Sequence, residues 1–473
     1  MLHACRDRGA QAREGEATVA EYAKIFKAYD IRGVVPDELD EDAAERIGAA
    51  FARLTGAAAL VTVHDMRTSS APLAEAFGRG AAAQGADVIS GGLGSTDMLY
   101  YASGSLAIPG AMITASHNPA RYNGIKLCRD GARPVGQDTG LAELRQMAAD
   151  GVPAGQAEPG TMSARDLLSG YAAYLKKLVD LSGIRPLKVA VDAGNGMAGH
   201  TVPRVFDGLP LDTVPLYFEL DGSFPHHEAN PIDPANLVDL QRAVLDSGAD
   251  LGLAFDGDAD RCFVVDERGE IVSPSVLTAL IAVRELRREP GATIIYNLIT
   301  SKAVPEIVAE HGGKAVRTRV GHSFIKAEMA AEGAVFGGEH SGHFYFRDFW
   351  FADSGMLAAM HVLAALGSQD GPLSALLAQY ARYQASGEIN SEVSDPVEVA
   401  AAVRDAFAGR PGAAIDDLDG LTVTSERWWF NLRPSNTEPL LRLNVEADDD
   451  VTLADVRDEV LRIVRGDRGA PSP

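Results

Sequence analysis

The sequence predicts an α/β protein of three consecutive α/β domains with mainly parallel, mixed sheets, followed by a smaller C-terminal α+β domain. Three observations predict it. At 473 residues the chain is too long for one hydrophobic core and suits roughly three or four domains of about 100–150 residues. Short apolar strands alternate with amphipathic helices as far as residue 382, the βαβ pattern of parallel sheets covered by helices. Beyond that point strand-like pieces dominate and only two helices intervene.

Residues 1–20, rich in Ala, Gly, Arg and Glu and without periodicity, predict a disordered leader. Residues 21–165 predict the first domain, with strands at Ala58–Val63, Ala86–Ser90 and Ala111–Thr114 and helices at Glu41–Leu54 and Ala71–Gln84. Residues 166–270 carry strands at Lys188–Asp192, Val214–Leu220 and Leu251–Phe255. Residues 271–382 carry strands at Thr293–Tyr296, Ala315–Thr318 and Ala334–Phe336. Residues 383–466 place strands at Ile389–Val393, Leu421–Thr424, Trp428–Leu432 and Leu440–Val445 around helices Val397–Phe407 and Leu453–Val464, and 467–473 read as a disordered tail.

A net charge of −23 makes the chain a poor partner for nucleic acid or an anionic membrane. No apolar run approaches the ~20 residues of a membrane span, and the charged N-terminus is no secretory signal, so a cytoplasmic location is expected. Cys5, Cys128 and Cys262 stand far apart, against a disulfide framework or zinc cluster.

Four polar motifs follow predicted strands, where α/β folds build their sites. Thr114-Ala-Ser-His-Asn-Pro119 puts Ser116 on a tight turn as a candidate nucleophile, with His117 beside it and Lys126 on the next strand. Asp256-Gly-Asp-Ala-Asp-Arg261 points three alternate carboxylates the same way, a set that repels unless a hard cation joins it. Its spacing also mimics a calcium loop, with Glu267 at the twelfth position, but Arg261 stands where that loop needs glycine, and strands flank it. Magnesium is the expected ion. Gly337-Gly-Glu-His-Ser-Gly-His343 offers Glu339, His340, Ser341 and His343 on a pliant backbone suited to a polyhydroxy ligand. Arg433-Pro-Ser-Asn-Thr437 offers a guanidinium, hydroxyls and amides as an anion cradle. A fifth motif, Gly194-Asn-Gly-Met-Ala-Gly199, follows a strand with Glu219 and Asp221 further on, and raises the rival reading of a nucleotide-dependent oxidoreductase.

The four motifs, in this order and one per domain, resemble the α-D-phosphohexomutase superfamily over nearly the whole chain, from about Phe26 to Val464. In that resemblance they are its phosphoserine, metal, sugar-recognition and phosphate-binding loops, arranged around a central cleft. Tyr29-Asp-Ile-Arg-Gly33 resembles the family's N-terminal segment, and Val320-Gly-His-Ser323 a phosphosugar-contacting turn. The resemblance implies interconversion of hexose 6-phosphate and hexose 1-phosphate through phosphorylated Ser116 and a hexose 1,6-bisphosphate. It implies Mg²⁺ on Asp256, Asp258, Asp260 and Ser116, and Arg32, His117, Lys126 and Arg261 around the transferring group, with Lys126 and His343 as proton-transfer candidates. Tyr29, Gly321, His322, Glu339 and Ser341 would contact the sugar, and Arg433, Ser435, Asn436 and Thr437 the distal phosphate. Glu339-His-Ser341 with Asn436 is most similar to the phosphomannomutase/phosphoglucomutase branch; phosphoglucosamine mutase and a non-catalytic phosphosugar-binding relative are the alternatives. The chain departs from dual-specificity members by carrying Ile299 where they often have lysine, with Lys302 nearby. Expected partners are small hexose phosphates, with the chain a monomer or small homo-oligomer.

Overall fold

A computed structural model describes residues 22–153, 155, 158–434 and 440–466. The expected leader and tail lie outside the described residues. The chain divides into two compact units, one running to Pro274 and including Ser341–Leu376, the other comprising Ser275–His340 and the chain from Leu377 onward.

The first unit holds two mixed sheets. In one, Ala59–His64 lies between Asp87–Leu93 and Gly110–Ile113, all parallel, and Met162–Ala164 extends the Asp87–Leu93 edge. Tyr122–Arg129 then pairs antiparallel with Gly110–Ile113, and Ile31–Val34 antiparallel with it. The connection from Ile113 to Tyr122 is shorter than the dozen or so residues a parallel crossover needs, so the chain must reverse there. That reversal is the Ser116 loop. The helix Glu41–Thr55 starts where Asp40 accepts a bond from the Ala43 amide and stops at Gly56, whose φ of 59° is left-handed. Its Ile47 and Phe51 join Phe77 of the helix Ser70–Ala83 in the core.

The second sheet runs Ile271–Val272, Cys262–Asp266, Leu251–Phe255, Leu187–Asp192, Leu211–Leu216. Leu251–Phe255 is buried throughout, as its unbroken apolar run requires. It is parallel to Leu187–Asp192 and antiparallel to Cys262–Asp266, so the aspartate loop is a hairpin connection. The expected strand Val214–Leu220 is instead Leu211–Leu216, because Tyr217 turns out of the sheet with a φ of 54°. Cys128 and Cys262 are buried free thiols; Cys5 lies outside the described residues.

In the second unit Thr293–Asn297 pairs in parallel with Lys314–Thr318 and with Phe336–Gly338, the last displaced two residues from its expected span. The C-terminal sheet is wholly antiparallel, in the order Gln384–Glu392, Leu440–Ala447, Trp428–Pro434, Leu421–Thr424, Ala414–Asp416. Helices Pro396–Ala408 and Asp450–Arg465 cover it through Val403, Phe407, Val456 and Val460. Among the described residues no helix is long and apolar enough to cross a membrane.

Candidate active site

Two reversals meet in the first unit. Ser116 sits at a φ of 51°, and its amide donates to Thr114 Oγ1 at 2.9 Å. Its hydroxyl donates to Asp256 Oδ2 at 2.8 Å and lies 3.3 Å from His117 Nδ1. The approach is backbone-tight: a Cβ on Gly257 would lie 2.4 Å from the Ser116 carbonyl oxygen, so only glycine fits there.

The aspartate loop gathers cations around it. Arg261 Nε donates to Asp256 Oδ2 at 2.8 Å, and Lys126 Nζ donates to Asp258 Oδ2 at 2.7 Å and to Asp260 Oδ2 at 2.5 Å. Burial disfavours the Lys126 charge, yet Asp258 and Asp260 push the ammonium above its usual range. Burial, reinforced by Arg261 and Arg32, holds His117 well below the usual imidazole range, so its ring is neutral near pH 7. Arg32 reaches the same loop, donating to Asn118 Oδ1 at 2.6 Å and to Asp30 Oδ2 at 2.5 Å. Tyr29 is half-buried next to that pair. His343 Nε2 lies 3.6 Å from Asp260 Oδ1, and its Nδ1 is 2.9 Å from Ser341 Oγ.

The donor set fits a hard cation. Oxygens of Asp256, Asp258 and Asp260 lie within 4.8 Å of one another, all three residues being buried. Among the described residues Asp258 Oδ1 and Asp260 Oδ1, both buried, have no hydrogen-bond partner. Buried carboxylate oxygens are usually satisfied, so two orphans in one all-oxygen cluster suit a hard divalent cation. The calcium-loop alternative fails because Glu267 lies beyond the hairpin strand and receives bonds from the Ser374 amide and hydroxyl at 3.0 and 2.5 Å. The dinucleotide reading fails because the turn is filled: a Cβ on Gly196 would meet the Gly257 carbonyl oxygen at 2.7 Å, and Asp221 caps Ser223 at 2.8 Å.

In the second unit, Glu339 is buried and accepts from the Gly321 amide at 3.2 Å and Asn297 Nδ2 at 3.3 Å. Gly321 opens the helix His322–Glu332; the side chain of His322 lies outside the described residues. Arg433 is the penultimate residue of the strand Trp428–Pro434 and lies opposite Arg442. Both donate to Glu388, at 3.3 and 3.4 Å, leaving one positive charge in excess among these three residues, and the buried Arg433 Nε has no partner among the described residues. Ser435, Asn436 and Thr437 lie outside the described residues. Lys302 is committed elsewhere, to the Glu426 carbonyl at 3.1 Å, Asp448 at 3.4 Å and the Tyr383 ring.

Motif reading missed Thr96, whose hydroxyl donates to Asp258 Oδ2 at 2.6 Å, and with it Glu388 and Arg442. The signal available was Gly94-Ser-Thr-Asp97, another polar cluster after a strand, which reads as an ordinary helix cap. It is also that: Ser95 caps Met98. Asp97, next to Thr96, accepts from Tyr171 OH at 2.7 Å and Ser354 Oγ at 2.6 Å, tying three helices behind the aspartate loop. Burial pushes Asp97 up to about 6 from 3.8. A raised folded value favours the protonated form, so this stabilisation is full below pH 3.8 and is lost as pH rises through about 6. Its size is on the order of 3 kcal/mol. Urea unfolding between pH 4 and 7 should show wild type losing that much relative to Asp97→Asn; parallel curves would contradict it.

Fold and site together define a multidomain α/β enzyme built for phosphoryl transfer. Residues 23–150, 169–269 and 273–383 match the phosphoglucomutase/phosphomannomutase alpha/beta/alpha domains I, II and III, and 388–463 match the C-terminal domain. The chain is 43% identical over 446 residues to the "Phosphohexose mutases" of Xanthomonas campestris pv. campestris, covering 93% of this chain and 99% of that protein. It is 39% identical over 445 residues to the phosphomannomutase of Escherichia coli K12, covering 92% and 97%. A phosphoglucomutase/phosphomannomutase family protein from Burkholderia thailandensis has the same fold, with a TM-score of 0.85 and 35% identity over 94% of this chain and 98% of that one. The chain belongs to the phosphoglucomutase/phosphomannomutase family.

Proposed function

We propose that the protein is a phosphomannomutase that also accepts glucose phosphates, working through phosphorylated Ser116 and a hexose 1,6-bisphosphate. The observation that carries this reading is the Ser116 hydroxyl 2.8 Å from a carboxylate of a three-aspartate cation site. Its relatives' names supply the sugar.

Asp256, Asp258, Asp260 and the Ser116 oxygen would hold Mg²⁺, whose charge, when bound, neutralises the phosphoryl oxygens. The P–O bond to Ser116 breaks as a new P–O bond forms to one sugar hydroxyl. That hydroxyl's proton passes to His343, while the Lys126 ammonium gives a proton to the departing Ser116 oxygen, and the return half-reaction reverses both transfers. Arg32, neutral His117 and Arg261 surround the moving group. The bisphosphate then turns and returns its other phosphoryl group by the reverse steps. In this division of labour residues 21–165 would carry the nucleophile and Tyr29, 166–270 the metal, 271–382 the sugar-contacting Gly321, His322, Glu339 and Ser341, and 383–466 the distal phosphate on Arg433, Ser435, Asn436 and Thr437.

Mannose 1-phosphate, glucose 1-phosphate and glucosamine 1-phosphate assayed in parallel test the substrate class; preference for glucosamine phosphate would overturn it. A second expectation separates anchor from reader. A charge-assisted bond contributes roughly 1.5–3 kcal/mol, so Arg433→Ala should lower kcat/KM by about one to two decades on mannose and glucose substrates alike. Glu339→Gln should instead change their ratio. An altered preference in Arg433→Ala with undiminished efficiency would refute this assignment.

A further inference from the structure

The Ser116 loop hangs on one side chain that no motif contains. Arg67 is buried, with 1% of its side chain exposed. Its Nη2 donates to the carbonyl oxygens of Ser116 at 2.9 Å and Asn118 at 2.7 Å. Its Nη1 donates to those of Pro119 at 2.9 Å and Tyr122 at 3.0 Å. Its Nε donates to Asp65 Oδ2 at 3.2 Å, and Asp65 is itself fixed by the Arg67 amide at 3.0 Å and Ser70 Oγ at 2.5 Å. Every N–H of the guanidinium is therefore used, four of them on the backbone of a single reversal. Phe224 closes the far face, its ring centre 5.1 Å from the guanidinium carbon.

This geometry has a specific consequence. Ser116 occupies the left-handed region, which a residue with a Cβ adopts only when its surroundings impose it. The flanking carbonyls must point inward for Ser116 Oγ to face Asp256, and inward carbonyls need buried donors. A planar fork supplies four in fixed directions; an ammonium has three and no fork.

We propose that Arg67, braced by Asp65, is a positioning residue for Ser116, holding the serine loop in its reactive backbone conformation without touching substrate. The inference rests on the reading of Ser116 as the phosphoryl carrier. It places the cost of losing Arg67 in the transfer step. Binding of the hexose phosphate, assigned to other residues, is left nearly unchanged.

The test compares wild type, Arg67→Lys and Asp65→Asn, with Arg79→Lys on the surface as a control. Rapid-quench intact mass gives the rate of phosphorylation by glucose 1,6-bisphosphate, and calorimetry gives the Kd of mannose 6-phosphate. Misplacing a reacting atom by about 1 Å costs roughly a hundredfold in rate, so Arg67→Lys should slow phosphorylation and kcat by about that factor. Its Kd should move less than about threefold, and Asp65→Asn should show the same split at about tenfold. If Arg67→Lys does not fold, Asp65→Asn carries the test alone. Phosphorylation of wild type at a residue other than Ser116 removes the reading beneath the inference and the inference with it. Phosphorylation of wild type at Ser116, with both variants within threefold of its rate or with rate and affinity falling together, overturns the inference alone.

Discussion

Ser116→Ala is expected to abolish phosphorylation of the protein and to lower kcat by about three decades or more. The neighbouring hydroxyls cannot substitute for it. Thr114 Oγ1 accepts the Ser116 amide, Thr96 Oγ1 is turned to Asp258, and Ser341 Oγ lies against His343. Among the described hydroxyls only that of Ser116 donates to the aspartate that Arg261 also holds. Alanine keeps the Ser116 carbonyl that Arg67 grips, so the loop should keep its shape and the loss should be chemical. Intact mass after incubation with hexose 1,6-bisphosphate should gain one phosphoryl group in wild type and none in the variant. Binding of mannose 6-phosphate should be retained. Turnover within tenfold of wild type would assign the phosphoryl group elsewhere.

The parts of this site that were legible in the sequence are contiguous. Ser116-His117, the alternating aspartates and Glu339 through His343 each bring several functional groups within a few residues, and each follows a strand whose apolar run marks its end. What was not legible joins distant segments. Thr96 reaches Asp258 across 162 residues and Arg67 reaches Ser116 across 49, and neither spacing leaves a local pattern. Glu388 reads as one polar residue in a half-exposed strand, and becomes meaningful only because antiparallel pairing sets Arg433 opposite Arg442. The glycine-rich turn at 194–199 shows the converse. Its glycines answer a packing demand from the aspartate loop, and the same spacing in another fold cradles a phosphate. Strand limits failed where backbone geometry overrode hydrophobicity: Tyr217 is apolar enough to prolong a strand, yet its positive φ ends one.

Removing divalent metal is expected to silence the enzyme, and the charge balance of the site says why. Three buried carboxylates face two side-chain cations, Lys126 and Arg261, a sum of −1. A phosphoserine adds a charge of about −2, giving about −3 in a buried site. A divalent cation returns that to about −1, and the two orphaned oxygens on Asp258 and Asp260 are placed to receive it. Activity should therefore fall by about three decades after exhaustive chelation and return with Mg²⁺. Asp260→Asn gives a sharper reading, because it removes one repelling charge while Lys126 keeps its bond to Asp258. Without metal, that variant should unfold at or above the wild-type temperature. With metal it should require about 10–100 times more Mg²⁺ for half-maximal activity. Thermal unfolding across a Mg²⁺ titration checks both: wild type should gain stability with each increment, as a protein does when ligand binds only the folded state, and Asp260→Asn should gain little. Full activity in a chelated sample, or identical Mg²⁺ titrations for the two proteins, would remove the aspartate loop from the chemistry.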